Sequence, residues 1–467
     1  MVSWRARGAP QRSGARNPVR RGWVVVADSA EVRARYREYL VPAVSTYYEE
    51  PIVLSRGEGR HVEDLDGRRY LDFFGGILTT SVGHAHPRVV AAVEAALRGV
   101  WHTSPLYPTE AAADMAALMA RIAPPGLTKS YFTSSGTEAN ETAVMMARIS
   151  SGRREIVTLR HGYSGHSAST LTMTGHAPWK TGLEGMPGIV HTPTAYCYRC
   201  PFGRTPDTCG LECAKELEEV LETETTGRPA ALLCEPIQGV GGFITPPAAF
   251  FQETARIIRE HGGLFISDEV QTGFGRTGAL WGIEDSGVEP DMITYAKGIA
   301  NGLPAAGVTT RAAIGDAYRG PAVSTFGMNP IAMAAAKATV ETILDDGLVD
   351  NSRERGGELR QGLEALQERY PAMGDVRGRG LMQAVEFVRG DKRHAPDLMA
   401  EFMEATKDAG LLVGRGGLKG NVARIAPSLT VTAGEIQDGL GMIGEAMARL
   451  YARHPELPRA GAPSVQA

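Results

Sequence analysis

The chain has 467 residues, of which 43% are hydrophobic and 22% are charged, and its formal net charge is -4. These values are ordinary for a globular protein with a large core, and no apolar run approaches the ~20 residues that cross a bilayer. The small negative charge gives no reason to expect nucleic acid or an anionic membrane as a partner. Five cysteines in so long a chain do not make a disulfide framework, so we expect a cytoplasmic protein that acts on small molecules.

The two ends of the chain differ in composition from the rest. Residues 1–30 form a basic extension with six arginines before the first acidic residue, Asp28. This composition fits an organellar transit peptide or a disordered extension, and we favour the extension. Residues 455–467 are rich in proline and alanine and are predicted to be a frayed tail.

Short apolar runs alternate with helical patterns in the middle of the chain. The apolar runs, each followed by glycine or polar residues, predict buried strands at Ile156–Leu159, Ala230–Leu233, Gly263–Ser267 and Met292–Tyr295. Helical patterns lie between them, such as Glu138–Ile149 and Ala248–His261. This alternation predicts an α/β fold whose mainly parallel sheet is covered on both faces by helices.

From about Asn329 onward the pattern changes to longer helices with fewer strands. The predicted helices are Ile331–Asp346, Arg353–Tyr370 and Leu398–Ala409. We therefore predict a large domain over residues 81–328 and a smaller α+β domain over residues 329–454. Residues 31–80, with a hairpin turn at Asp66–Gly67, are predicted to join the smaller domain.

Three sequence features lie where ligands of such sheets bind, just beyond the carboxyl ends of strands. Ser134–Thr137 is a small polar loop before a helix, which suits a phosphate group, although such residues are more often helix caps. Asp268 comes directly after one predicted strand, and Lys297 lies two residues after another. A phosphate cradle, an acid for a pyridine nitrogen and an imine-forming lysine together describe a site for pyridoxal 5′-phosphate (PLP).

Five motifs in the sequence occur in the order and spacing of one enzyme family: "SSGTEANE", "EPIQG", "DEVQTGFGRTG", "YAKGIANGLP" and "STFGMNP". With them, residues 48–450 resemble the class III, or omega, PLP-dependent aminotransferases. In character the chain is closest to members that pair alanine with glyoxylate or pyruvate. The resemblance implies the PLP-dependent transferase fold type I, a homodimer, and active sites at the subunit interface.

The resemblance also implies roles for individual residues. Lys297 would carry the cofactor and move a proton between the substrate Cα and the cofactor, and Asp268 would pair with the protonated pyridine nitrogen. The other matching cofactor positions are Gly136 and Thr137 for the phosphate, Thr325 for the phosphate in the other subunit, Tyr163 and Val270 for the two ring faces, and Gln271 for the ring oxygen.

For the substrate, Arg424 matches the arginine that binds an α-carboxylate, while Glu235 in "EPIQG" is given only a supporting role. Two positions depart from the relatives that use ornithine or 4-aminobutyrate. Val240 replaces an acidic residue that can pair with the carboxylate-binding arginine, and His166 replaces an arginine that holds a distal carboxylate. The expected reaction is therefore ping-pong transfer of an amino group from an amino acid or omega-amine to a small 2-oxo acid, pyruvate or glyoxylate.

Other reactions stay open at this point. A 4-aminobutyrate/2-oxoglutarate aminotransferase is one alternative. Another is a class III relative that catalyses racemisation, decarboxylation or lyase chemistry, because the bond that breaks at Cα depends on how the substrate is oriented.

Four cysteines lie close together in "CYRCPFGRTPDTCGLEC", an insertion over residues 197–213. These residues, Cys197, Cys200, Cys209 and Cys213, are compatible with a structural zinc site, with reduced thiols or with disulfides. A zinc-stabilised scaffold without catalysis would be a function of another class. The combination of Lys297, Asp268, Tyr163 and Thr325 argues against it.

Overall fold

The computed structural model describes residues 28–180, 182 and 185–459. These residues fall into two compact units, one ending at Val53 and the other beginning at Leu54. In the first unit the side chain of Asp28 caps helix α1 (Ser29–Tyr39) by accepting a hydrogen bond of 2.7 Å from the Glu31 N–H. The predictions for residues 1–27 and 460–467 lie outside the described residues.

The second unit contains three sheets and the remaining helices. Its strands are β1 (Leu54–Glu58), β2 (His61–Asp64), β3 (Arg69–Asp72), β4 (Leu127–Thr133), β5 (Ile156–Leu159), β6 (Ile189–Thr192), β7 (Ala231–Cys234), β8 (Leu264–Asp268), β9 (Met292–Tyr295), β10 (Ala306–Arg311), β11 (Met373–Arg379), β12 (Met382–Arg389), β13 (Arg393–His394), β14 (Leu411–Leu412), β15 (Gly414–Gly416) and β16 (Val422–Ile425). Its helices are α2 (Gly75–Leu78), α3 (Pro87–Ala96), α4 (Glu110–Ile122), α5 (Gly136–Ser151), α6 (Ala168–Met173), α7 (Glu212–Glu224), α8 (Ala248–Glu260), α9 (Ala312–Ala317), α10 (Pro330–Asp345), α11 (Leu348–Arg369), α12 (Pro396–Ala409) and α13 (Ala433–Arg453).

The central sheet has the strand order β4-β10-β9-β8-β7-β5-β6. Strands β9, β8, β7, β5 and β6 run parallel, and β10 is antiparallel to both of its neighbours. Helix α5 packs on this sheet through small residues, Ala139, Ala143 and Ala147, which recur every four positions and therefore lie on one face. The predicted α/β class is confirmed, and the four predicted strands agree with β5, β7, β8 and β9 to within one residue.

The C-terminal part contains more strands than the sequence pattern indicates. An antiparallel sheet with the order β11-β12-β16-β15 lies here, and β13 pairs with β12. Seven of the eight residues of β12 are buried, so this strand lacks the polar–apolar alternation that reveals a strand with one face exposed to water. The hairpin at Asp66–Gly67 is present, and β14 pairs in parallel with β3, which joins the N-terminal strands to the C-terminal part. The predicted domain boundaries stay a prediction.

Among the described helices, none combines the length and the apolar character that crossing a bilayer requires.

Two adjacent glycines of α11 have opposite surroundings. A Cβ atom on Gly356 would lie 2.2 Å from the carbonyl carbon of Gly380 in the turn between β11 and β12, whereas a Cβ on Gly357 would meet nothing within 4 Å. The helix therefore contacts the β11–β12 turn directly at Gly356, and only a glycine fits there.

This contact predicts opposite effects for two alanine substitutions. Gly356→Ala should lower the free energy of unfolding by about 1–3 kcal/mol, because the helix has to move away from the turn. Gly357→Ala should raise it by up to about 1 kcal/mol, because alanine favours the helix and meets no atom. The midpoints of thermal unfolding of the two variants measure the difference, and equal midpoints would contradict the close contact at Gly356.

Candidate active site

Three ionisable side chains follow three neighbouring parallel strands. Glu235 comes directly after β7, Asp268 is the last residue of β8, and Lys297 lies two residues beyond β9. Because the carboxyl ends of parallel strands meet at one edge of a sheet, the fold brings these three groups together. All three line one cavity of about 360 Å³.

The cavity also contains most of the predicted cofactor-binding residues. Its lining includes Gly136, Thr137, Tyr163, Asp268, Val270, Gln271 and Lys297. Thr325, Arg424 and His166 are not among the lining residues. The structure thus brings seven of the predicted residues together and leaves three outside the cavity wall.

One end of the cavity is the N-terminus of α5. The Ser135 side chain caps this helix by accepting a hydrogen bond of 3.3 Å from the Glu138 N–H. The first turn of a helix has N–H groups without intrahelical acceptors, and these groups with the helix dipole favour an anion. A Cβ on Gly136 would lie 3.2 Å from both γ-carbons of Val270, so the absence of a side chain at residue 136 keeps this end of the cavity open.

Asp268 is held by two hydrogen bonds. One carboxylate oxygen accepts from Nδ2 of Asn140 at 2.8 Å, and the other accepts from the Val270 N–H at 3.1 Å. The hydroxyl of Thr294 donates to Oδ1 of Asn140 at 2.7 Å, which orients the amide. Burial raises the pKa of Asp268, and these hydrogen bonds together with the Lys297 charge oppose that rise. A cationic ligand bound at this carboxylate would balance the remaining negative charge of Asp268.

Lys297 begins a 3-10 turn two residues after the end of β9 and has a φ of +49°. A non-glycine residue in this left-handed region is uncommon, and such conformations concentrate at functional sites. Burial lowers the pKa of Lys297, Arg424 lowers it further, and Asp268 and Glu235 raise it. A lowered pKa favours the neutral amine, which is the form that attacks a carbonyl group.

Glu235 connects two segments of the cavity wall. Its carboxylate accepts hydrogen bonds from the Tyr163 N–H at 2.9 Å and from the Gly239 N–H at 2.8 Å. Burial, and next the nearby Asp268 carboxylate, raise the pKa of Glu235 to about 8. Its contacts therefore position Tyr163 and the loop after β7.

Sequence reasoning missed Asn140 and Thr294. Asn140 lies four residues after Gly136 in "SSGTEANE", so on a helix the two residues share the face that lines the cavity. That spacing was a usable signal. No such signal marks Thr294, because β-branched residues are common within buried strands.

The three residues outside the wall have different surroundings. Arg424 is 5% exposed and its Nη1 lies 3.5 Å from the carbonyl oxygen of Gly239, in the loop after β7. His166 is exposed, and its backbone N–H donates to Oγ1 of Thr137 at 3.1 Å. Thr325 is exposed in the single chain.

The zinc interpretation of the cysteine-rich insertion is not supported. All four of its cysteines are free thiols, and in the part of the chain that the structure describes no group of three or more His, Cys, Asp or Glu is arranged to hold a metal ion. Cys213 is buried on α7, where burial followed by the neighbouring thiols raises its pKa to about 12. Without support for a metal site, the alternative of a zinc-stabilised scaffold has no support either.

The chain matches the family of class-III aminotransferases over residues 44–447. The chain is a class III aminotransferase. This aminotransferase is 38% identical over 419 residues to alanine–glyoxylate aminotransferase 2 homolog 2, mitochondrial, of Arabidopsis thaliana, covering 89% of this chain and 86% of that relative. It is 37% identical over 403 residues to the 4-aminobutyrate aminotransferase GabT of Escherichia coli, covering 85% of this chain and 93% of that relative.

A solved structure with the same fold is the PLP-bound amine transaminase of an uncultivated Pseudomonas species. It superposes on this aminotransferase with a TM-score of 0.82 at 31% identity, covering 88% of this chain and 99% of that one. The predicted family, fold type and enzyme class are confirmed. The cytoplasmic location stays a prediction, since the Arabidopsis relative is named as mitochondrial.

Class III aminotransferases depend on PLP, and the cavity of this aminotransferase has groups that suit that cofactor. The amide oxygen of Gln271 is buried with no hydrogen-bond partner among the described residues, and Gln271 lines the cavity. Such an unpaired group costs free energy unless a ligand satisfies it. The α5 N-terminus suits a phosphate, and Asp268 suits a cationic ring nitrogen, so the residues fit the group.

The hydrogen bonds of Asp268 predict the effect of Asn140→Ala. This substitution removes a donor to a buried carboxylate, which should raise the pKa of Asp268 further and weaken its interaction with a cationic ring nitrogen. We expect turnover to fall by roughly tenfold or more, since a hydrogen bond to a charged group contributes about 1.5–3 kcal/mol.

Thr142→Ala is the matched control, since Thr142 lies on the same helix and its hydroxyl donates to the Glu138 carbonyl oxygen rather than to Asp268. Steady-state rates and the PLP absorbance spectrum measure both variants. An unchanged rate and spectrum for Asn140→Ala would show that the bond to Asp268 does not matter for catalysis.

Proposed function

We propose that the enzyme transfers an amino group from an amino acid or omega-amine to a small 2-oxo acid, pyruvate or glyoxylate, by a ping-pong mechanism. The main support for this proposal is that the guanidinium of Arg424 is buried beside the active-site cavity. Among the described residues no carboxylate lies within ion-pair distance of it. A buried cation without an anionic partner is ready to bind the carboxylate of a substrate.

PLP, when bound, supplies an electron sink for the electron pair left at Cα once the substrate loses its proton. In this proposal the N-terminus of α5, with Gly136 and Thr137, binds the phosphate. Asp268 keeps the ring nitrogen protonated through its negative charge, and Asn140 orients Asp268. Lys297 would remove the proton from the substrate Cα and hold it for return to the reacting atoms, which its lowered pKa supports.

The surroundings of Arg424 support its assignment to an α-carboxylate. Its guanidinium carbon lies 4.9 Å from the ring centre of Phe74 and 5.7 Å from that of Phe243. Its Nε donates to the Arg415 carbonyl oxygen at 3.0 Å. These contacts hold the side chain in one orientation, and its charge acts on Lys297. A carboxylate held by Arg424 would therefore lie close to the reacting carbon.

Two residues support a preference for small substrates. Val240 carries no charge that could neutralise Arg424. His166 stands where the family resemblance places an arginine for a second, distal carboxylate, so such a carboxylate would lack that charge-assisted contact. The relative from Escherichia coli, named a 4-aminobutyrate aminotransferase, makes a 4-aminobutyrate/2-oxoglutarate reaction the second candidate.

We also propose that the active enzyme is a homodimer or a larger assembly. Thr325 matches a phosphate-binding position of the family, yet it is exposed and does not line the cavity of its own chain. In a dimer, Thr325 of one subunit would bind the cofactor phosphate in the active site of the other subunit.

The role of Lys297 predicts that Lys297→Ala abolishes turnover but leaves weak PLP binding through the phosphate contacts. Lys297→Arg is the matched variant, because arginine keeps the positive charge but does not release a proton near neutral pH. We expect both variants to be inactive in a coupled assay that detects the pyruvate formed from alanine with glyoxylate as the acceptor. Near-normal turnover in either variant would refute the assignment.

The substrate preference is tested on one half of the reaction. The PLP-loaded enzyme is converted to its amine form with excess alanine and freed of it, and the rate at which each 2-oxo acid restores the aldehyde absorbance is measured. We expect pyruvate and glyoxylate to react roughly tenfold to hundredfold faster than 2-oxoglutarate, which lacks a charge-assisted contact worth about 1.5–3 kcal/mol.

His166→Arg should narrow this difference and His166→Gln should leave it unchanged. If 2-oxoglutarate reacts as fast as pyruvate in the parent enzyme, the proposed preference for small 2-oxo acids is wrong, while the assignment as an aminotransferase stands.

A further inference from the structure

A second cavity, of about 350 Å³, shares no lining residue with the active site. It lies between the segment after β8, helix α11 and the β11–β12 turn. We call it the arginine cavity, because Arg353, Arg360 and Arg379 line it together with Thr277 and Gln383. The close contact of Gly356 with Gly380 brings α11 and the turn together at its wall.

Three buried polar groups of this cavity have no hydrogen-bond partner among the described residues. They are the hydroxyl of Thr277, the amide oxygen of Gln383 and Nε of Arg379. Thr277 is 4% exposed and Gln383 is 2% exposed, so bulk water does not satisfy them. Buried polar atoms are nearly always paired in folded proteins, so three in one cavity point to a missing ligand.

The lining of the arginine cavity is positively charged. It contains three arginines against one acidic residue, Asp285, which accepts a hydrogen bond of 2.7 Å from Nη1 of Arg379. The acidic partners of the other two arginines, Asp350 and Glu364, lie outside the lining. Nη2 of Arg379 donates to the Gly282 carbonyl oxygen at 3.1 Å, so Nε is the nitrogen of this guanidinium left without a partner among the described residues.

The three unpaired groups define the chemistry of a ligand. The N–H of Arg379 and the hydroxyl of Thr277 can donate to the oxygens of a phosphate, and guanidinium groups suit phosphate geometry. The Gln383 oxygen accepts, so it requires a donor such as a hydroxyl. The volume is close to that of the active-site cavity, which leaves room for an organic group beside the phosphate.

We propose that the arginine cavity is a second ligand site, which binds a small phosphomonoester that carries a hydroxyl group. This inference does not rest on the proposed function, because the two cavities are separate.

The test is calorimetric titration of the PLP-loaded enzyme with glycerol 3-phosphate, and separately with inorganic phosphate. Loaded enzyme is used so that the phosphate site at α5 is already filled. We expect saturable binding of one glycerol 3-phosphate per chain and weaker binding of inorganic phosphate, which offers Gln383 no carbon-bound hydroxyl.

Two variants test whether glycerol 3-phosphate binds in the arginine cavity. Gly357 lines the cavity and a Cβ there meets no atom within 4 Å, so Gly357→Leu should reduce the space for a ligand, and Arg379→Gln removes the unpaired cationic donor. Each should weaken binding by about tenfold or more. Gly441→Leu is the control, because Gly441 is also an exposed helical glycine without neighbours but lies on α13, outside the cavity.

Transamination without added phosphate, measured on Gly357→Leu, verifies that this variant is folded, and we expect the parent rate. Absence of saturable binding by the parent enzyme would overturn the proposal, as would binding that neither variant weakens. Equal affinity for glycerol 3-phosphate and inorganic phosphate would overturn the part that assigns a hydroxyl to the ligand.

Discussion

The burial of three ionisable side chains at one edge of the central sheet is the constraint on which the active site depends. Glu235 and Asp268 are buried and Lys297 is partly buried, and burial opposes the charged form of each. Opposite charges and hydrogen bonds must then compensate for the lost hydration. Asn140 and the N–H groups of the neighbouring loops provide part of this compensation, and the site has capacity for a cationic, phosphate-bearing ligand to provide more.

The loop after β7 connects this edge to the C-terminal sheet. Its Gly239 N–H binds Glu235, and its Val240 carbonyl oxygen accepts from the Gly417 N–H at 2.9 Å. A Cβ on Gly239 would lie 2.0 Å from the Gln271 amide, so this loop passes directly over a residue of the cavity wall. The position of Arg424 relative to Lys297 is thus set by a loop that contacts both sheets.

The start of the cysteine-rich insertion is held to the C-terminal sheet by a buried carboxylate. Glu386 of β12 accepts hydrogen bonds from the hydroxyl of Tyr196, from Arg199 at 2.5 Å and from Arg377 at 2.7 Å. Charged and hydrogen-bonded contacts of this kind keep the pKa of Glu386 below its ordinary value despite its burial. These contacts hold Tyr196 and Arg199 against β12, and the thiols of the insertion take no part in them.

The sequence by itself determined the class of the fold and the residues at the strand ends, because strand length, apolar content and the motifs around Asp268 and Lys297 are local properties. Through the resemblance it also predicted that Arg424 binds an α-carboxylate and that His166 replaces an arginine for a distal one. Only the tertiary structure decided that Asn140 contacts Asp268, that Arg424 reaches the loop at Gly239, and that the four cysteines are not arranged in a group that could hold a metal ion. The first two contacts join residues 128 and 185 positions apart in the chain, and the arrangement of the thiols depends on side-chain direction. Packing between elements sets all of these features, and no local sequence pattern indicates them.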